Sequence, residues 1–365
     1  MAVMDKAVLI FPAGMPRSLD FLGKCLREQC KVIGASSRAH DPSRQQYPAW
    51  LTLPYVTQEE FDTALAQAVR DHDIGGIYTP HFVVWDYLNH ALERIAPGVQ
   101  LLNASPLDTE LESYRAAQKS ARGLLSNSLP LAVEQKAKPD LTELEVASLY
   151  CHADAIPGQC DHEKVRALYE IARYCPASDM VEIGSLWGKS AFVLLRLAQC
   201  LGIGNLLCVD PWSEEHLVQN DESGLVDTTS AQFSAEEAFA VFQINLLPYS
   251  AGDINYLRMP STDAAKHYRA QPEAETPAFG RTTYTGRIAL LHIDGNHSYE
   301  NAKADIGAWS DLVMGGGWIV MDDYTWPFGD GPKRAADEFL MANRESISAA
   351  FVMGGALFMR VGGPE

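Results

Sequence analysis

The chain has no apolar run long enough to cross a bilayer, and no basic N-terminal segment leading into a long apolar stretch. Both absences predict a cytoplasmic protein with no membrane partner. Cysteine is scattered: Cys25, Cys30, Cys151, Cys160, Cys175, Cys200 and Cys208. An odd number at irregular spacing predicts reduced thiols rather than a disulfide framework. The group Cys151-His152, Cys160 and His162 lacks any C-x-x-C pair, so plain thiols and solvent histidines are expected there, not zinc. Positive charge is short as well. Lys and Arg number 29 against 47 Asp and Glu, a net charge of −18, and no basic run offsets it. Such a surface repels phosphate backbones, which excludes nucleic acid as an expected partner. Internal repeats and low-complexity segments are also missing.

What remains is an ordinary globular profile, 47% hydrophobic and 21% charged, over 365 residues. That length suits two domains. Near the N-terminus, the apolar run Ala7 to Phe11 meets a Pro/Gly turn, and Ser18 is placed to cap the helix that follows. Lys31 to Ala35 reads as a second strand, Phe61 to Val69 as a helix and Gly76 to Thr79 as a third strand. Strands alternating with helices imply a parallel sheet. Residues 1–105 therefore read as a small Rossmann-like α/β domain. Residues 106–150 read as a helical linker with a capping box at Thr142-x-x-Glu145, and residues 151–365 as the second domain.

The second domain carries the densest signal. Val181-Glu182-Ile183-Gly184-Ser185-Leu186-Trp187-Gly188-Lys189-Ser190 is an apolar run, an acid, a glycine-punctuated turn and a helix start. About twenty residues on, Leu206 to Val209 is a second apolar run and ends at Asp210. Together they form a β-α-β unit suited to a nucleoside, with an acid placed for ribose hydroxyls. The spacing is E-x-G-x-x-x-G-x-S, whereas a nicotinamide site reads G-x-G-x-x-G. Two later strands also end in acid: Leu290-Leu291-His292-Ile293-Asp294-Gly295-Asn296-His297, and Trp318-Ile319-Val320-Met321-Asp322-Asp323-Tyr324. Ligands of open α/β sheets bind at the carboxyl ends of strands, so Asp294, Asp322 and Asp323 are expected to converge beside the nucleoside pocket. Clustered carboxylates either hold a divalent cation or serve as helix caps and ladder ends. Two strand-like runs flanking Gly354-Gly355 predict a closing antiparallel hairpin.

Motif I with Glu182, the D-G-x-H-x-Y and G-G-x-x-x-x-D-D-Y segments and the terminal hairpin resemble the class I S-adenosylmethionine-dependent methyltransferases. The likeness covers roughly the last two hundred residues. It is greatest to the metal-dependent O-methyltransferases that act on sugar hydroxyls of natural products. The resemblance implies a doubly wound, mostly parallel sheet ending in an antiparallel hairpin. It implies S-adenosylmethionine held by Glu182, Gly184, Ser185, Gly188, Ser190, Asp210, Ser261 and Asp263. Trp212 either packs on the adenine edge or is a buried structural tryptophan. Magnesium or another divalent cation is implied at Asp294, Asp322 and Asp323. His297, three residues after Asp294 in the same loop, is either the catalytic base or a hydrogen-bonding residue that shapes the turn, and with Asp294 it makes up the candidate catalytic groups.

The aromatic loop Tyr324, Trp326 and Phe328 is the expected platform for a hydroxylated small-molecule acceptor. The polar segment 213–235 reads as a lid or as a surface insertion. Metal-free catalysis by His297, a nicotinamide oxidoreductase and an idle nucleotide-binding protein are the alternative readings. Homo-oligomerisation stays open. The N-terminal domain looks like the nucleotide-fold domain that precedes ATP-grasp domains, on the strand–Pro/Gly turn–helix–strand order and the Gly34-Ala35-Ser36-Ser37 strand end.

Overall fold

A computed structural model describes residues 6–219 and 224–362. The chain divides into two compact units, residues 1–115 and 116–365. In the first, the order is β1 (Ala7–Ile10), α1 (Pro16–Arg27), β2 (Val32–Ser36), β3 (Trp50–Thr52), α2 (Phe61–His72), β4 (Ile74–Tyr78), α3 (Phe82–Ile95) and β5 (Gln100–Leu101). The five strands form a parallel sheet in the order β3-β2-β1-β4-β5. This is the expected doubly wound α/β arrangement. Alternate residues of β1 serve opposite faces: Val8 and Ile10 pack toward α1, Ala7 and Leu9 toward α2 and α3. The predicted cap at Ser18 is displaced. The helix starts at Pro16, whose fixed φ suits a first helical position, and Ser18 sits inside the first turn with its hydroxyl donating to Pro12 O at 2.6 Å.

The second unit continues with α4 (Pro106–Leu125, which runs across the division), α5 (Glu143–Ala155), α6 (His162–Ala172), β6 (Asp179–Ile183), α7 (Lys189–Leu201) and β7 (Leu206–Val209). Then come α8 (Glu214–Leu217), α9 (Leu225–Ser230), α10 (Ala235–Leu246), β8 (Ile254–Leu257), α11 (Ser261–Ala270), β9 (Glu273–Thr276) and β10 (Gly280–Thr283). The unit finishes with β11 (Ile288–Ile293), α12 (Tyr299–Trp309), β12 (Val313–Met321), α13 (Gly331–Ala342), β13 (Ile347–Met353) and β14 (Ala356–Val361).

Residues 116–150 pack within this unit rather than hanging as a linker. Ala117, Ala121, Leu124, Val146, Leu149 and Tyr150 are buried in its core. The capping box at α5 is present: Glu145 N donates to Thr142 Oγ1, and Thr142 N donates to Glu145 Oε2 at 2.7 Å.

The large sheet has seven strands in the order β13-β14-β12-β11-β6-β7-β8. The block from β12 to β8 is parallel, and β14 runs antiparallel to both β12 and β13. The parallel strands are covered on both faces, which is why they read as unbroken apolar runs. One core lies toward α5, α6, α7 and α10, the other toward α11, α12 and α13. The closing hairpin forms as expected. Gly354 and Gly355 both have positive φ, +54° and +79°, as a two-residue turn of this hand requires. The small β9–β10 hairpin was not anticipated. Its strands carry threonine, glutamate and arginine rather than an apolar run, so nothing in the pattern announces them.

Among the described residues no helix is long and apolar enough to cross a membrane.

Candidate active site

Strand register brings the acids together. Ile183, Val209, Ile293 and Met321 are paired partners across β6, β7, β11 and β12. Pairing continues one residue further: Gly184 N donates to Val209 O at 2.8 Å, Asp294 N to Ile183 O at 2.8 Å, and Asp322 N to Ile293 O at 2.8 Å. Asp322, Asp294, Gly184 and Asp210 therefore stand side by side at the carboxyl edge of the sheet, where the topology puts ligands.

The glycine turn is built around Asp210. Its Oδ2 accepts from Ser185 N and Leu186 N, each at 3.0 Å, and its Oδ1 from Trp212 N at 2.8 Å. Burial raises the Asp210 carboxyl above its ordinary range, and the three N–H partners oppose that rise. The two motif glycines are needed for reasons internal to the protein. A Cβ on Gly184 (φ +80°) would lie 2.0 Å from Asp294 O, and one on Gly188 (φ +88°) would lie 2.5 Å from Leu246 Cδ2. Ser190 is buried in the first turn of α7, and Ser185 Oγ donates to Glu182 Oε2 at 2.5 Å.

The structure places Trp212 in the core, not on a ligand edge. It is 1% exposed, packs on Phe239, Phe242 and Tyr256, and donates from Nε1 to Leu186 O at 2.9 Å. Ser261 opens α11, where its Oγ accepts from Trp309 Nε1 at 3.0 Å. Asp263 is exposed and pairs with Lys266 at 2.8 Å.

Behind the strand ends lies a buried ionic chain. Glu182 and His292 are register partners on β6 and β11, and both are fully buried. His292 Nδ1 sits 3.3 Å from Glu182 Oε1, and Nε2 sits 3.6 Å from Asp322 Oδ2. These are ion-pair distances without hydrogen-bond geometry, and among the described residues both ring nitrogens lack a hydrogen-bond partner. Burial opposes the imidazolium, but Asp322 and Glu182 outweigh it and raise the His292 pKa to about 10. Asp322 Oδ2 also accepts from Lys164 Nζ, delivered by α6, while its Oδ1 accepts from Asp323 N at 2.9 Å. Burial works against the Asp322 carboxylate, yet His292 and Lys164 hold it well below the usual range.

The outer acids are less well compensated. Asp294 is held well above the carboxylate range by burial and then by Asp322 and Asp323, with only partial relief from Lys164 and His292. Asp323, at φ +53°, aims Oδ2 at His297 Nε2, 2.9 Å away. Asp294, His297 and Asp323 bring ligand atoms within 4.8 Å of one another, as do His292, Asp294 and Asp322. Neither cluster contains Cys151, His152, Cys160 or His162. His152 instead bonds Tyr249, and His162 faces Asp154.

His297 is flanked by part of the aromatic loop. Trp326 stands edge-on to it, with ring centroids 4.2 Å apart, and Phe328 is 5.6 Å from Trp326. Gly331 makes this possible, because a Cβ there would lie 2.1 Å from His297 O. Tyr324 turns away. Its hydroxyl donates to Asp337 Oδ1 at 2.8 Å on α13, and Lys333 Nζ lies 4.6 Å from its ring centroid. From the other side, the segment after β7 touches the same loop. Asn296 Nδ2 donates to Val218 O and His297 N to Gln219 Oε1, both at 3.0 Å. Residues 220–223 of the proposed lid lie outside the described residues.

Sequence reasoning missed Lys164 and His292. A histidine in the middle of the apolar run Leu290 to Ile293 was a visible signal, since a buried imidazole demands polar partners. Lys164 gave none, because it stands 158 positions before Asp322 on a separate helix.

Residues 181–324 match the family model described as a methyltransferase domain. Solved structures with distant likeness include CalS11, a TDP-rhamnose 3′-O-methyltransferase of calicheamicin biosynthesis, at 15% identity and a TM-score of 0.37. That match covers 71% of this chain and 96% of CalS11. The O-methyltransferase NovP is 16% identical with a TM-score of 0.38, covering 70% of this chain and all of NovP (100%). MycE of the mycinamycin pathway, in complex with Mg, SAH and mycinamycin VI, is 12% identical with a TM-score of 0.33, covering 85% of this chain and 64% of MycE. The matched stretch is a methyltransferase domain and contains the glycine turn and Asp210 at the strand ends.

Proposed function

We propose that the chain methylates a hydroxyl of a small, hydroxylated acceptor of sugar or natural-product type, with a divalent cation at the acid cluster. The observation that carries this is the His297–Asp323 pair at 2.9 Å, set beside Asp294 and against Trp326. A carboxylate partner fixes the histidine tautomer: Asp323 accepts from Nε2–H, which leaves the lone pair on Nδ1. That atom has no hydrogen-bond partner among the described residues. It is available to take the acceptor proton as the hydroxyl oxygen attacks the sulfonium methyl carbon. The C–S bond breaks as the C–O bond forms, giving a methyl ether and S-adenosylhomocysteine. The donor is already activated, so the protein's main work is alignment and proton removal.

For the cofactor, the turn at Glu182, Gly184, Ser185, Gly188 and Ser190, with Asp210 and Ser261, frames the nucleoside side of the cleft. Asp263, exposed and paired with Lys266, is the weakest of the assigned contacts.

The residues fit a hard divalent cation. The donors are carboxylates with imidazoles nearby, and the Asp294 carboxyl, raised by burial and then by Asp322 and Asp323, is one whose charged form a cation would favour. Asp294 and Asp323 would hold it, with Asp322 behind them. A bound cation would lower the acceptor hydroxyl pKa. Trp326 and Phe328 would border the acceptor, which suits stacking on a sugar or ring. The test is methyl transfer from S-adenosylmethionine to a panel of sugar and phenolic acceptors, with chelator and with magnesium added back. Loss on chelation and recovery on add-back is expected. Chelator-resistant turnover would assign the reaction to His297 and Asp323 without an ion.

A further inference from the structure

We propose that Lys164 is a resident cation of the acid cluster. It occupies Asp322, weakens binding of a divalent ion, and confines that ion to the Asp294–Asp323 side. The proposal rests on the cation-site reading above.

Lys164 is held from several directions. Its backbone N–H donates to the α6 cap Asp161 Oδ1 at 2.7 Å. The β13–β14 turn presses on it so closely that a Cβ on Gly354 would lie 2.4 Å from Lys164 N. Its Nζ donates to Gln159 O at 3.0 Å and to Asp322 Oδ2. The side chains of Lys164 and Asp322 are 6% and 3% exposed. This ammonium therefore cannot swing into solvent to make way for an ion.

Asp322 has no idle oxygen. Oδ2 serves Lys164 with His292 beside it, and Oδ1 accepts from Asp323 N. Asp294 has no basic group at ion-pair distance among the described residues, and Asp323 faces only His297. The sequence pattern presents three equivalent carboxylates. The fold instead gives Asp322 a fixed cationic partner, pairs Asp323 with His297, and leaves Asp294 with no basic group at ion-pair distance among the described residues. A fixed positive charge next to a cation site in a medium of low polarity raises the free energy of the bound ion. Lys164 is thus a positioning residue that sets where an ion sits and how readily it leaves.

The test is calorimetric titration of the full chain with magnesium alone, for wild type and Lys164→Met. The variant should bind magnesium at least about tenfold more tightly, because one neighbouring unit charge is gone. Lys164→Gln, which can still donate to Asp322 without the charge, should show the same direction and replaces Lys164→Met if that variant does not fold. A merely structural lysine would lower the melting temperature and leave magnesium affinity unchanged. Equal or weaker binding by a folded variant overturns the proposal while leaving the cation site intact. Binding by the variants but not by wild type supports the proposal and removes the ion from the natural reaction. No binding by any of them overturns both.

Discussion

Glu182 and His292 stand opposite each other on adjacent parallel strands, fully buried, with Oε1 and Nδ1 3.3 Å apart. The imidazole is held charged by Glu182 on one side and Asp322 on the other, and its pKa is raised to about 10. A raised histidine pKa contributes stability in full below the unfolded value of about 6.5 and loses it as pH climbs through the folded value. The melting temperature should therefore fall between pH 7 and pH 10. His292→Leu should flatten that slope and cost about 3–5 kcal/mol at pH 7, since it removes the buried cation between Glu182 and Asp322. Thermal melts of both proteins across this range check the sign.

Asp305 predicts the opposite benefit of neutralisation. It is buried on α12, and burial raises its pKa to about 6, with Ser261 giving partial relief. An acid with a raised folded pKa stabilises fully below its unfolded pKa and loses that contribution as pH rises through 6. Asp305→Asn should be nearly neutral at pH 4 and should stabilise by about 2 kcal/mol at pH 8. Equal effects at the two pH values in denaturant titrations would count against it.

At Gly184 the fold itself demands a glycine. A side chain there meets Asp294 O before it meets any ligand. Gly184→Ala should therefore destabilise the empty protein by at least about 2–3 kcal/mol, from left-handed strain plus displacement of the neighbouring strand end. An Ala variant with unchanged melting temperature and lost S-adenosylmethionine affinity would make ligand space, not the neighbouring strand end, the reason for the glycine.

How much was legible follows from these cases. Asp210, Asp294 and Asp322 could be placed because each ends an apolar run, and parallel register makes strand ends coincide. His297 and Trp326 could be suspected from their nearness in sequence to those acids. Orientation was not legible. Nothing in Tyr324, Trp326 and Phe328 says that Tyr324 leaves for Asp337, or that the Trp212 ring enters the core. Partners distant in sequence were hidden too. Lys164 reaches Asp322 only because α6 and the hairpin turn at Gly354 meet in the folded protein.

The acceptor face divides accordingly. Trp326→Ala should raise the acceptor KM severalfold, by about 1–2 kcal/mol of lost contact, and leave S-adenosylmethionine affinity nearly intact. Tyr324→Phe should cost only about 1 kcal/mol of stability through the lost bond to Asp337, with little change in KM. Steady-state kinetics with both substrates varied would show a reversed acceptor pocket if Trp326→Ala weakened cofactor binding instead.

The most direct test of the account is single-turnover methyl transfer by His297→Asn, with S-adenosylmethionine affinity measured on the same sample. Because His297 Nδ1 is assigned to remove the acceptor proton, the rate should fall by about 10²–10⁴ while cofactor affinity stays within about twofold. Full turnover by His297→Asn, or lost cofactor binding at an intact rate constant, would contradict it.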